Sequence, residues 1–127
     1  YNHVFGCFKL PKSTDEEKAA RSAAIQEATR FAALVPMQVA RNACELMEII
    51  ADVARLGNQN AITDACVAMM AARSAVLGAL LNVRINLGSL KDKTFVDELK
   101  READHLEQLA CMREKELLEV VNQELNQ

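Results

Sequence analysis

Hydrophobic positions recur along this chain at spacings of three and four, the period that turns one face of an α-helix toward a core. The clearest run is Val96, Leu99, Ala103, Leu106, Ala110, Leu117 and Val120, which predicts a long amphipathic helix from Thr94 to about Glu124. At ~1.5 Å per residue it would be on the order of 45 Å long, more than a domain of this size covers, so pairing with another subunit is expected. A second run, Val39, Ala43, Leu46, Ile50 and Val53, predicts a helix from Pro36, well placed at a first turn, to Leu56, with Gly57 as its stop. Val35-Pro36 separates this from an earlier helix over about Asp15–Leu34, because the residue before a proline avoids the α region. Ser13 and Thr14 each have a glutamate three residues on (Glu16, Glu17), the capping-box pattern that starts that earlier helix. Tyr1–Phe8 reads as the end of a preceding helix, broken by Pro11.

The segment Gly57–Leu90 has a different pattern. After a polar Gly/Asn loop, apolar residues continue from about Ile62 to Leu87 with almost no charge, and the run ends in Asn82-Val83-Arg84-Ile85-Asn86. This predicts a central helix buried most of the way round. Position i+18 returns to the same helical face, so Asp64 and Asn82 point the same way. Ala68, Ala71, Ala75 and Gly78 lie between them, with Asn86 and Ser89 beyond. Buried polar groups are costly unless paired. The strip therefore has two readings: a seam for close helix packing, or a wall of a flat ligand slot with polar ends that fix orientation. Asp64 is either a first-turn acid favoured by the helix dipole, or a carboxylate that faces a cationic ligand and moves a proton if burial raises its pKa. Arg73 and Arg84 share a second face with Met69, Met70, Leu77 and Leu80. They read as ion pairs with neighbouring helices or as a grip on a ligand carboxylate. Asn58 and Asn60 are loop and capping residues by default.

Composition settles the class. Half of the 127 residues are hydrophobic but only 4% aromatic, and two Pro with four Gly leave little room for the turns of a β fold. The expectation is one all-α domain over residues 1–127: a helical bundle with a buried central helix and a long C-terminal amphipathic helix. The net charge of −3 argues against a nucleic-acid binder. Cys7, Cys44, Cys66 and Cys111 form no C-x-x-C pair and read as reduced thiols of a cytoplasmic protein. Ala65–Val83 would pass as a membrane span on hydropathy, but Arg73 at its centre is expensive in lipid, so a core helix and no membrane are expected. His3 and His105 have no partner at metal-ligand spacing, and no metal is expected.

Several separated motifs carry a resemblance. They are Leu10-Pro11-Lys12 before an acidic helix start, Gly57-Asn58 with Asn60-Ala61, Thr63-Asp64-Ala65, and Leu81-Asn82-Val83-Arg84-Ile85-Asn86. In this order and spacing the chain resembles the formiminotransferase-cyclodeaminase / methenyltetrahydrofolate cyclohydrolase family from Tyr1 to about Leu90, the last helix matching in character. The resemblance implies an all-helical domain that forms a homodimer or higher homo-oligomer and acts on folates, with no cofactor beyond the tetrahydrofolate substrate. Its members cyclise 5-formiminotetrahydrofolate to 5,10-methenyltetrahydrofolate with loss of ammonia, or interconvert the methenyl and 10-formyl forms. On this sequence Asp64 becomes the candidate catalytic carboxylate, and Asn82 and Asn86 would orient the pterin or the reacting amide nitrogen. Lys12, Arg84 and Arg73 would hold the glutamate tail, with Asn58 completing the binding set.

Two departures from the family pattern stand out. Its Gly-rich opening segment and further helices do not occur in these residues, which would leave part of the active site outside this stretch. Cys66 also stands where the family has a small glycine, which would tighten the wall near Asp64. The competing reading is a non-catalytic helical oligomerisation or scaffold module.

Overall fold

The computed structural model describes residues 1–127. Four helices follow in order: α1 Asn2–Cys7, α2 Asp15–Leu56, α3 Ile62–Leu87 and α4 Lys93–Leu125, with a 3₁₀ turn over Gln59–Ala61 between α2 and α3. Antiparallel α2–α3 and α3–α4 pairs close a three-helix bundle. Residues near the start of α2 therefore meet the end of α3, as where the Gln26 amide bonds the backbone at Ser89 and Lys91.

α2 begins as its sequence dictates. The Thr14 hydroxyl accepts the Glu17 backbone N–H at 3.1 Å, and the Glu17 carboxylate reaches back to the Thr14 and Ser13 N–H groups. This box satisfies donors that a helix start leaves unpaired. Asp92 caps α4 similarly by accepting from the Phe95 N–H.

Pro36 does not end a helix. α2 runs through it for 42 residues, about 63 Å. The two helices expected on either side of Val35-Pro36 are one, because packing along α3 and α4 outweighs a local interruption. Gly57 does terminate α2, though not through a left-handed conformation: its φ is −84°. A Cβ at this position would collide with the Val53 carbonyl oxygen, which the Gly57 N–H approaches to 2.8 Å.

The stripe expected to face inward on the second half of α2 divides. Met37, Ala40, Cys44, Met47, Ile50 and Ala54 are buried in the core. Val39, Leu46 and Val53 point outward with Val35, Ile49 and Leu56. At 100° per residue the two sets lie on opposite faces, and each repeats at three and four. α4 follows its expected face from Val96 to Ala110, but near its end Val121 rather than Val120 is buried.

α3 is central, packed against both α2 and α4. Its core face carries Ala65, Met69, Ala72, Val76, Leu80, Val83 and Leu87. Burial stops there. Asp64, Val67, Ala68, Ala71, Ala75, Gly78, Leu81, Asn82 and Ile85 are not part of that core face, and Ile85 is 74% exposed. α3 is also the one helix long and apolar enough to cross a membrane. Within the bundle its central Arg73 is instead paired with Glu114 of α4 at 3.6 Å.

Candidate functional site

Asp64 lies in the first turn of α3, exposed, with no hydrogen-bond or ion-pair partner. Eighteen residues along the same face, about 27 Å by helical rise, lies Asn82. The strip between them is as the sequence spacing requires, but it opens to solvent and is no packing seam within the chain. Its floor is smooth because Ala68, Ala71, Ala75 and Gly78 add little beyond the helical backbone; a Cβ at Gly78 would meet nothing.

The amide end is built by back-bonding. Asn82 Nδ2 donates to the Gly78 carbonyl at 3.3 Å, and Asn86 Nδ2 donates to the Asn82 carbonyl at 2.8 Å and to Ala32 O of α2 at 3.4 Å. Such bonds give a mid-helix asparagine a local partner and compete weakly with the ladder. Asn82 is exposed, whereas Asn86 is half-buried between α3 and α2.

Arg84 leaves this strip. Its guanidinium donates to Asp104 at 3.0 Å and to Glu107, both on α4, and the bonds to these carboxylates hold the arginine more firmly protonated. Arg73 is held by Glu114. Of the two readings of these arginines, ion pairing across the bundle is the one observed, so their forks are already engaged by carboxylates of the chain.

The remaining candidates are surface groups. Asn58 caps the 3₁₀ turn by accepting the Asn60 N–H at 3.0 Å, the capping role open to it from the sequence. Lys12 is exposed in the link between α1 and α2. Two groupings result: Asn58 and Asp64 at the start of α3, and Asn82, Arg84 and Asn86 near its end, with Lys12 beyond that same end. Cys66 corrects the expectation of a narrowed wall. Two residues along a helix turn by about 200°, so Cys66 is buried on the core face, where burial pushes its thiol pKa up.

Three polar contacts had no sequence signal, because each joins residues more than sixty apart. Arg41 makes a two-pronged pair with Glu102, at 2.5 and 2.8 Å. Its guanidinium holds the Glu102 carboxyl below the usual range. Arg113 donates to the Cys44 carbonyl at 2.6 Å and to Glu48. The third is the Gln26 latch on the α3–α4 turn. Arg113 and Glu48 border a cavity of about 660 Å³, with Arg55 at the end of α2 and Gln59 of the 3₁₀ turn. Its basic groups are already paired, Arg55 with Asp52 and Arg113 with Glu48, and Asp64 does not line it.

An all-helical bundle with motifs along one apolar helix defines a class that comparison with known proteins identifies. A family model described as formiminotransferase-cyclodeaminase matches residues 1–105. The chain is 39% identical over 126 residues to a methenyltetrahydrofolate cyclohydrolase of Methylorubrum extorquens, covering 99% of this chain and 61% of that protein. It is 36% identical over 105 residues to the formimidoyltransferase-cyclodeaminase of Rattus norvegicus, covering 83% of this chain and 19% of that protein. The crystal structure of formiminotetrahydrofolate cyclodeaminase from Thermotoga maritima superposes with a TM-score of 0.76 at 28% identity, covering 94% of this chain and 57% of that one. The chain belongs to the formiminotransferase-cyclodeaminase family. It spans about three-fifths of the length of the bacterial relatives it matches.

Proposed function

We propose that this chain acts in one-carbon folate chemistry. It closes 5-formiminotetrahydrofolate to 5,10-methenyltetrahydrofolate with release of ammonia, or hydrolyses the methenyl form to 10-formyltetrahydrofolate. The observation that carries the reading is 39% identity along nearly the whole chain to a cyclohydrolase, with Asp64 and Asn82 on one open face of α3.

In ring closure, N10 attacks the formimino carbon and the amine departs, which requires a proton donor because a free amide ion is a poor leaving group. The product is a delocalised cation, and hydrolysis passes through the same cationic carbon with water as nucleophile. Asp64 is the carboxylate that would face that charge. In open water at ~4 Å it would contribute about 1 kcal/mol, against about 4 kcal/mol in a partly water-excluded site. The difference is on the order of a hundredfold in rate. A catalytic Asp64 therefore needs its face covered.

The second copy supplies that cover in this proposal. Pairing of the open α3 faces about a two-fold axis perpendicular to the helices runs them antiparallel, and sets Asn82 of the partner subunit toward Asp64. One copy alone holds these groups about 27 Å apart. The outward stripe of α2 is a second apolar surface of the kind that marks protein contacts, which suits a homodimer or higher homo-oligomer. In this reading the protein works in the cytoplasm, with the folate as its ligand and no metal or separate cofactor.

The test is to give the full-length protein each folate and follow ammonia release beside methenyl hydrolysis. Turnover of either supports the reading. No turnover together with no folate-dependent rise in melting temperature would favour the scaffold alternative.

A further inference from the structure

We infer that Asn86 stands in for the backbone N–H that Pro36 lacks, and is a positioning residue that lets α2 pass through its proline. In an uninterrupted helix the Ala32 carbonyl would accept from the N–H of residue 36; proline has none. Ala32 is half-buried, and a backbone acceptor shielded from water needs a partner. The Asn86 side chain supplies one at 3.4 Å from across the α2–α3 contact, and the same nitrogen bonds the Asn82 carbonyl at 2.8 Å. A carboxamide nitrogen carries two hydrogens, and both are used. Asn86 and Pro36 are 50 positions apart in the chain, and the α2–α3 contact brings the amide to the carbonyl that the proline leaves unserved.

The amide strip then divides in function. Asn86 is committed to the scaffold, and exposed Asn82, bonded only within its own helix, is the group left to meet a ligand. This last step rests on the folate reading; the pairing of Asn86 with Pro36 does not.

The experiment is a melting-temperature cycle on the full-length protein with Asn86→Ala, Pro36→Ala and the double variant, without ligand. Asn86→Ala is expected to lower the midpoint by about 4 °C in the native background. In the Pro36→Ala background the restored backbone N–H serves the Ala32 carbonyl, and the same change is expected to cost less than half as much. Equal losses in both backgrounds overturn the inference. If Asn86→Ala yields no folded protein, recovery in the double variant supports it and absence of recovery overturns it. A folate titration then separates the amides: Asn82→Ala should weaken binding at unchanged midpoint in either background. Binding lost on Asn86→Ala and not restored by Pro36→Ala would return Asn86 to the ligand site, whatever the outcome for the folate reading.

Discussion

Arg84 of α3 spans to α4 and divides its guanidinium between Asp104 and Glu107. With 33% of its side chain exposed it is too shielded to be an ornamental surface pair, and too occupied to serve a second carboxylate without releasing the first. Arg84→Gln is expected to destabilise the bundle by about 1–2 kcal/mol while folate affinity stays within about twofold. Arg84→Lys should recover only part of the loss, because an ammonium lacks the planar fork. Thermal melts beside a folate titration check this. A tenfold loss of affinity at unchanged stability would put Arg84 on the ligand's glutamate tail.

Glu102 gives a pH dependence. Its folded pKa lies below the unfolded value because Arg41 bonds the ionised form. It therefore contributes stability that is fully present above the unfolded carboxylate value of ~4.3 and lost as pH falls through the lower folded value. Both side chains are about one-third exposed, so the effect is modest, ~1 kcal/mol. Wild type should melt above Glu102→Gln at pH 7, and the gap should close on titration below about pH 4. A gap that widens toward acid would contradict the assignment.

Thiol reactivity should follow burial. Cys111 is exposed, whereas Cys7, Cys44 and Cys66 are buried, and burial pushes the Cys44 and Cys66 thiols up. An aromatic disulfide reagent at neutral pH is expected to label one thiol rapidly in the native protein and all four after denaturation. Fast labelling of Cys111→Ser would show that the core opens readily.

The open face of α3 predicts assembly. Ala71→Glu adds a charge where one copy has only solvent, so the fold should persist while sedimentation shifts to smaller species and turnover falls. If the two faces form one site, mixing inactive Asp64→Asn and Asn82→Ala proteins should restore part of the activity through mixed dimers. A wild-type protein that sediments as a monomer at micromolar concentration and retains turnover would contradict the shared site.

Much of the fold is legible in the sequence because the relevant signals are local. The Thr14–Glu17 box follows from its spacing, α3 from its apolar run and the long α4 from its stripe. The expected break at Pro36 does not occur: a proline's cost is local, whereas the Asn86 amide at Ala32 O is 54 residues away. The second half of α2 carries two heptad-like stripes, and periodicity does not tell which one faces the core. α3 poses the related difficulty: with both faces apolar, spacing shows that Asp64 and Asn82 share a face but not that the face is open. The arginines have two readings in sequence, and only the folded arrangement of α3 and α4 places their carboxylate partners.

The central claim is that Asp64 faces the cationic carbon of the folate. Ammonia release and methenyl hydrolysis should be measured for the full-length protein and its Asp64→Asn variant, with folding verified by melting. A loss of at least a hundredfold is expected in whichever reaction the wild type performs, at a midpoint within a few degrees of wild type. Undiminished turnover of both folates by Asp64→Asn would contradict it.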